Sequence, residues 1–197
     1  LLGLAGCASA PSTDPLTLPA GEWRLDENHA FVSWRARHMG LSYVIGRFDE
    51  MDATLVFDPQ RPERSELTAV VQAASISTGD PDFDETLRGW IGARAHPEIV
   101  FRSDRIEVTG AAAGRVHGAL TLNGLTRPAV LETEFYGGLR NPLELRQAVG
   151  FGADLSIDRA EFDIEGLGAR FVGEEISLRI EAEFLRARDA PDGQEEN

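Results

Sequence analysis

Residues 29–48 alternate between apolar and polar side chains, and this alternation constrains the fold more than any other feature of the sequence. Val32, Trp34 and Ala36 fall on one face of an extended chain, whereas a serine and two arginines fall on the other. An α-helix would scatter these arginines around its circumference, because it completes a turn about every 3.6 residues. A period of two is typical of half-buried antiparallel strands. Since the alternation resumes after residues 39–42, the segment is predicted to be a β-hairpin.

The same alternation recurs along the chain and is clearest at residues 176–184, where five apolar side chains alternate with four polar ones. Asn123 and Gly124 form a strong hairpin-turn signal between two further alternating segments. About eight or nine such segments suit either a β-sandwich or a closed barrel. A barrel is favoured because closure leaves no exposed edge strand, and a barrel of about eight strands can hold one small ligand.

Several motifs of the chain also resemble those of a known family. The hairpin reads His29-Ala30-x-Val32-x-Trp34, then His38-Met39-Gly40, then Val44-x-Gly46-x-Phe48. Further shared motifs lie at residues 55–59, 74–79, 84–88, 96–103, 120–128, 157–162 and 172–176. Their order resembles that of the YceI-like family of bacterial lipid-binding proteins, over roughly residues 23–184. This resemblance implies an all-β, lipocalin-like antiparallel barrel that binds a long isoprenoid or a similar amphiphile.

Residues 79–97 interrupt the β pattern. After an Asp-Pro pair, residues 83–88 are predicted to form a short helix with acidic residues in its first turn. The apolar side chains of this segment need a surface to cover, and the open end of a barrel offers one. They are therefore predicted to form a movable lid, the alternative being a static plug that completes the core. The predicted lid residues are Phe83, Leu87, Trp90 and Ile91.

The two ends of the chain are predicted to lie outside the barrel domain, which is placed at residues 21–186. Residues 1–7 resemble the end of a bacterial lipoprotein signal, in which Cys7 would carry the lipid anchor. Residues 8–20 hold three prolines among small and polar residues and are predicted to be a flexible tether. Residues 187–197 are predicted to be a disordered, charged tail. The protein is accordingly expected on the periplasmic side of the cell envelope, anchored to the outer membrane.

Composition argues against several function classes. A net charge of −14 disfavours binding to nucleic acid or to an anionic membrane surface.

His29 and His38 fall on opposite faces of a continuous strand, so no metal site is predicted. Asp158 and Arg159 are interpreted as an exposed ion pair. No catalytic residue is predicted, because the sequence contains neither Gly-x-Ser-x-Gly nor His-Glu-x-x-His.

The inward-facing side chains form the candidate ligand site. Small residues among them predict a cavity, although a dry packed core is the alternative; they are Ala36, Gly46, Ala53, Ala69, Ala73, Gly118, Ala153 and Ala182. His38, near a strand end, is predicted either to contact a ligand headgroup or to bond a turn carbonyl. The predicted lumen comprises Val32, Trp34, Ala36, His38, Phe48, Leu55, Phe57, Phe101, Leu120, Leu122, Phe151, Leu178 and Ile180.

The predicted function is binding, sequestration or transport of an amphiphile with an apolar tail, such as a polyisoprenoid or a quinone-like lipid, with no further cofactor required. A tail of about fifteen carbons contributes on the order of 12 kcal/mol gross at about 0.8 kcal/mol per methylene, which can exceed association costs. Two alternatives come from other classes: a lipid-modifying enzyme that uses the same lumen, and a ligand-free interaction module of the envelope.

Overall fold

The computed structural model describes residues 10–166 and 171–188, which contain ten β-strands and one α-helix. The strands are β1 (Gly21–His38), β2 (Ser42–Phe48), β3 (Met51–Phe57), β4 (Glu66–Gln72), β5 (Ile76–Ser77), β6 (Glu98–Val108), β7 (Ala113–Leu122), β8 (Leu125–Arg140), β9 (Gln147–Asp158) and β10 (Val172–Arg186). The helix is α1 (Pro81–Trp90). In this part of the chain, no helix is long and apolar enough to cross a membrane.

Eight of these strands close into an antiparallel barrel in the order β1, β3, β4, β6, β7, β8, β9 and β10, and β10 pairs back with β1. The long β1 pairs with β3 through its first residues and with β2 through its second half. Strand β2 therefore continues the wall beyond the end of β3, and short β5 pairs with its last residues. The predicted barrel of about eight antiparallel strands with one helical segment is confirmed.

The apolar face of each strand points into the barrel, where two clusters of buried side chains lie toward its two ends. Helix α1 covers one end, called here the helix end, where Trp34, Leu87 and Phe162 are buried together. Trp23 and Phe184 belong to the cluster at the opposite end. The period of two in the sequence thus produces a continuous apolar interior, because successive side chains of a strand point to opposite faces.

Helix α1 is longer than the predicted residues 83–88 and begins two residues earlier, at Pro81. The side chain of Asp80 accepts hydrogen bonds from the backbone N–H groups of Asp82 (3.1 Å) and Phe83 (3.3 Å). An Asp cap followed by Pro at the first helical position is a favourable start, because Pro has no N–H left unsatisfied. The helix ends at Trp90, and the N–H of Ile91 still bonds to the carbonyl of Leu87 (3.0 Å).

The prediction of a flexible tether does not hold for residues 10–20, which are docked on the barrel. Ser12 and Gly138 exchange two backbone hydrogen bonds of 2.8 and 2.9 Å. Leu18 is only 7% exposed and belongs to the buried cluster at the opposite end. A Cβ atom at Gly138 would lie 2.6 Å from the Leu18 side chain, so the glycine leaves the space that Leu18 fills. Burial of Leu18 therefore docks a segment whose prolines and small residues had predicted conformational flexibility.

The other predictions about the ends fall largely outside the described residues. Cys7 and the rest of the signal-like residues 1–7 lie outside them, as do residues 189–197 of the predicted tail. The strands themselves run from Gly21 to Arg186. Just beyond them, the N–H of Ala187 still bonds to the carbonyl of Glu22 (2.9 Å).

Candidate functional site

Two adjoining cavities lie inside the barrel. The smaller, of about 120 Å³, lies beneath α1 at the helix end, and the larger, of about 280 Å³, extends to the opposite end. The walls of both include Val32, Val71, Ile99, Leu120, Leu155 and Leu178. The two cavities thus border the same side chains, and together they are called the lumen below.

All but one of the predicted lumen residues line these cavities. Four of them line only the smaller cavity: Trp34, Ala36, Phe48 and Leu122. Five line only the larger cavity: Leu55, Phe57, Phe101, Phe151 and Ile180. Val32, Leu120 and Leu178 line both. The structure therefore brings together side chains from six barrel strands and from β2 that the sequence could place only on separate inward faces.

His38 is the exception, because the structure places it outside the lumen. It is exposed at the last position of β1 and lines neither cavity. The pairing of β1 with β10 is irregular between Ala36 and His38, and His38 lies opposite Ser42, where the hairpin turns. Strand β1 extends past the end of the barrel wall at this point. The side chain of His38 therefore lies outside the lumen, although the alternation of the sequence gives it an inward position.

The four predicted lid residues all line the smaller cavity from the helix end. Leu87 and Ile91 are buried, and the rings of Phe83 and Trp90 meet edge to face with centroids 6.4 Å apart. Trp90 packs closely over Gly166, where a Cβ atom would lie 2.2 Å from Nε1. The segment therefore covers one end of the lumen, which is the position that the sequence predicted for it.

Polar contacts hold α1 over this end of the lumen. The buried carboxylate of Asp84 accepts hydrogen bonds from both the backbone N–H and the hydroxyl of Thr78, each 2.7 Å long. Arg88 donates from Nε to the carbonyl of Ala74 at 2.8 Å. Two groups on the helix are thus tied to the segment that precedes it.

The predicted small inward residues divide into two groups, apart from Ala73, which is buried and lines neither cavity. At Gly46 a Cβ atom would lie 2.4 Å from Cζ2 of Trp34, and at Gly118 it would lie 2.8 Å from Cζ of Phe101. An aromatic ring therefore stands beside both glycines, and at Gly118 the carbonyl oxygen of Arg102 would lie closer still, at 2.2 Å. The small residues that do line open space are alanines, namely Ala36 in the smaller cavity and Ala53, Ala69, Ala153 and Ala182 in the larger.

Few polar side chains reach the lumen wall, and the hydroxyls among them are engaged. Ser65 Oγ accepts a hydrogen bond from the backbone N–H of Asp58 (2.9 Å), and Thr133 Oγ1 donates to the carbonyl of Gly114 (2.9 Å). No histidine occurs among the described residues that line either cavity. These linings thus contain no hydroxyl–histidine pair of the kind that a lipid-modifying enzyme with a serine nucleophile would use.

Arg159 is a lumen residue that sequence reasoning missed. Its side chain, interpreted from the sequence as part of an exposed ion pair, lines the smaller cavity. Its guanidinium donates to the carbonyls of Ile164 (2.8 Å) and Gly173 (3.2 Å). The signal that could have found it is its place directly after β9, where the chain turns across the helix end.

A polar cluster of a different kind lies on the outer wall, where β1 meets β10. The Oδ2 atom of Asp26 lies 2.9 Å from Nδ1 of His29, and one ligand atom each of Asp26, His29 and Glu183 lie within 4.8 Å of one another. Burial alone would raise the pKa of Asp26, but hydrogen bonds from His29 and the backbone of Asn28 outweigh it and lower the pKa. The hydrogen bond to Asp26 raises the pKa of His29, and the charges of Asp26 and Glu183 add to this effect.

The comparisons with known proteins agree with this architecture. The model of the YceI-like domain matches residues 23–184 of the chain. The chain belongs to the YceI-like family. Among its relatives, a UPF0312 protein of Pseudomonas putida (strain W619) is 29% identical over 166 residues, which cover 82% of this chain and 86% of the relative.

Solved structures share the YceI-like fold at lower identity. Burkholderia cenocepacia BcnA superposes with a TM-score of 0.72 at 22% identity, covering 81% of this chain and 98% of BcnA. A domain from Saccharophagus degradans, described as a polyisoprenoid binding domain implicated in plant cell wall breakdown, superposes with a TM-score of 0.60 at 12% identity. This superposition covers 86% of this chain and 100% of that domain. At these identities the similarity shows a common fold.

Proposed function

We propose that this YceI-like barrel binds, and thereby stores or carries, an amphiphile whose apolar tail is a polyisoprenoid or quinone-like chain. The observation that carries the proposal is the lumen, in which two adjoining cavities are walled almost entirely by apolar side chains. Membership of the YceI-like family supports it. So does the common fold with a domain that is described as binding polyisoprenoid.

The dimensions of the lumen suit a single chain. The larger cavity, at about 280 Å³, is close to the lower end of the range for ligand pockets, about 300–1,000 Å³. The smaller cavity extends the path toward α1. Each buried methylene contributes about 0.8 kcal/mol, so a tail that threads both cavities binds without any charged contact. Arg159 is the one charged side chain in the described wall of the smaller cavity, and its guanidinium donates to the carbonyls of Ile164 and Gly173 there.

The test is to purify the protein from envelope extracts, extract it with organic solvent, and identify the lipid by mass spectrometry. The proposal expects an apolar-tailed lipid in near-stoichiometric amount. Ala153→Trp would place an indole in the larger cavity and should remove the lipid from protein that still melts cooperatively. Ala119→Trp is the matched control, because Ala119 is exposed on the outer face of β7. Wild-type protein that neither carries nor takes up lipid, or folded Ala153→Trp with full lipid content, would overturn the proposal.

We also propose that the protein is held in the periplasm by a lipid on Cys7, most simply at the outer membrane. The residues Leu4-Ala5-Gly6-Cys7, which match a lipobox, support this location. Expression of the complete precursor with Cys7→Ser should move the protein from the membrane fraction to the soluble periplasmic fraction. A variant that stays in the membrane fraction, or wild-type protein that lacks an attached acyl group in its mass spectrum, would contradict the proposal.

A further inference from the structure

The cluster on the outer wall lies at the seam of the barrel, where the first strand pairs with the last. Leu25 and Ala30 of β1 lie opposite Phe184 and Ala182 of β10, so residues 26–29 are opposed by the single residue Glu183. This bulge of extra residues brings Asp26 and His29 to the same side of the seam. The carboxylate of Glu183 then faces both across the strand pair.

Asp26 is already oriented as a ligand would be. It is 9% exposed, and its Oδ1 atom accepts hydrogen bonds from the backbone N–H (3.1 Å) and side-chain amide (3.4 Å) of Asn28. Its Oδ2 atom is hydrogen-bonded to Nδ1 of His29 (2.9 Å), so a metal ion bound here would replace the proton between the two atoms. Hydrogen bonds to the second oxygen of a carboxylate fix the direction of the first, which is the usual arrangement around protein metal ions. In contrast, Glu183 is exposed and its side chain can adjust.

We infer that Asp26, His29 and Glu183 form a binding site for a divalent transition metal ion, with Zn²⁺ as the ion that suits these donors best. One imidazole nitrogen and two carboxylate oxygens are donors that Zn²⁺ accepts, at about 2.0–2.2 Å each. Ligand atoms around a tetrahedral Zn²⁺ with such bonds are roughly 3.3 Å apart. The three ligand atoms lie within 4.8 Å of one another, so an ion between them requires Glu183 to approach and the hydrogen-bonded pair of Asp26 and His29 to separate slightly from 2.9 Å. Water would complete the coordination on the solvent side.

The site differs from the other histidine–carboxylate contact in the described residues. His117 Nε2 lies 3.3 Å from Glu107, but its neighbour there is the cation Arg105, whose Nη2 is 2.9 Å away. A guanidinium beside the imidazole opposes a metal ion, whereas a second carboxylate attracts one. His117 therefore supplies a matched control within the same molecule.

A metal at this position would join β1 to β10 and so hold the barrel closed. Its effect is separate from the lumen and from the proposed lipid function, because the three ligands lie on the outer wall. The expected consequence is a melting temperature that rises with Zn²⁺ concentration, since an ion that binds only the folded state stabilises it. This rise should be lost when Glu183 is replaced.

The experiment is a calorimetric titration of Zn²⁺ into chelator-treated, tag-free protein in a Cys7→Ser background, so that no tag and no thiolate contributes. One saturable site per chain is expected. Glu183→Gln and His29→Ala should each weaken binding at least about tenfold, and His117→Ala should leave it unchanged. Because Glu183 is exposed, Glu183→Gln should fold normally, and its circular dichroism checks this point.

Nuclear magnetic resonance identifies the ligand directly. Zn²⁺ should shift the ring signals of His29 at substoichiometric concentration while those of His117 stay in place. Absence of saturable binding to the parent protein would overturn the inference. An equal loss of affinity in all three variants, or shifts that appear equally at both histidines, would show nonspecific binding and overturn it as well.

Discussion

Trp34 and Gly46 lie directly opposite each other on β1 and β2, and the indole of Trp34 occupies the space that a side chain at residue 46 would need. A Cβ atom there would lie 2.4 Å from Cζ2 of the indole and 2.9 Å from the carbonyl oxygen of Ser77. The glycine therefore permits a large aromatic ring to stand in the wall of the smaller cavity. It also lets β5 come close to the end of β2, since Ser77 belongs to β5.

Replacing Gly46 by alanine is expected to lower the free energy of unfolding by about 1–3 kcal/mol, because an added methyl group must displace a packed indole. Urea denaturation measures the change. Gly89→Ala is the control, because no heavy atom lies within 4 Å of a Cβ at that helical position. That change should raise stability by about 0.5–1 kcal/mol through helix propensity. Equal effects of the two substitutions would contradict the close contact at Gly46.

The docking of the N-terminal segment makes a second prediction. Leu18→Ala should cost about 2–4 kcal/mol, because it empties a buried site beside Gly138. Leu16 lies in the same segment but is 57% exposed, so Leu16→Ala should change stability by less than about 0.5 kcal/mol. Chemical denaturation of both variants compares them directly. If both are neutral, residues 10–20 behave in solution as the tether that the composition suggested.

A third prediction concerns the attachment of α1 through Asp84. Asp84→Ala leaves the backbone N–H and the hydroxyl of Thr78 without their acceptor, which should cost about 1–3 kcal/mol. Amide hydrogen exchange should accelerate in residues 81–90 more than in β10, because the lost bonds hold the helix and not the barrel wall. Glu85→Ala is a suitable control, since Glu85 is exposed and pairs only at the surface with Arg88. Unchanged exchange in the helix of Asp84→Ala would show that its apolar contacts alone hold it.

The fourth prediction is that α1 moves when ligand enters. If the helix is a lid, residues 81–91 should exchange amide hydrogens rapidly in lipid-free protein and gain protection on loading, more than β10 does. Exchange measured by mass spectrometry on delipidated and reloaded protein provides the comparison. Strong, equal protection in both states would instead identify a static plug, a role that the buried side chains of Leu87 and Ile91 could also serve.

The sequence alone determined the class of fold and the inward set of side chains. Alternation is a local property of an extended chain, so residues such as Val32, Trp34 and Leu178 could be assigned to one face without knowledge of their neighbours. The order of the family motifs could likewise be read without coordinates. The helical interruption at residues 79–97 was visible for the same reason, because its capping and spacing are local.

Only the tertiary structure decided where space remains and which distant residues meet. Gly46 and Ala153 are both small and inward, yet one is covered by an indole and the other borders the larger cavity. The difference depends on the size of the side chain that lies opposite on the neighbouring strand. The alternation of apolar and polar residues carries no information about that size. His38 follows the inward pattern of the sequence but is exposed, because β1 extends farther than the barrel wall at this end.

The same reason explains the contacts that no local pattern revealed. Asp26 and His29 meet Glu183 only because β1 bulges against the strand that closes the barrel. Leu18 is buried only because Gly138, far along the chain, leaves room for it. Register, bulges and the complementarity of volumes arise when strands pair, so they belong to the folded chain and not to any segment of its sequence.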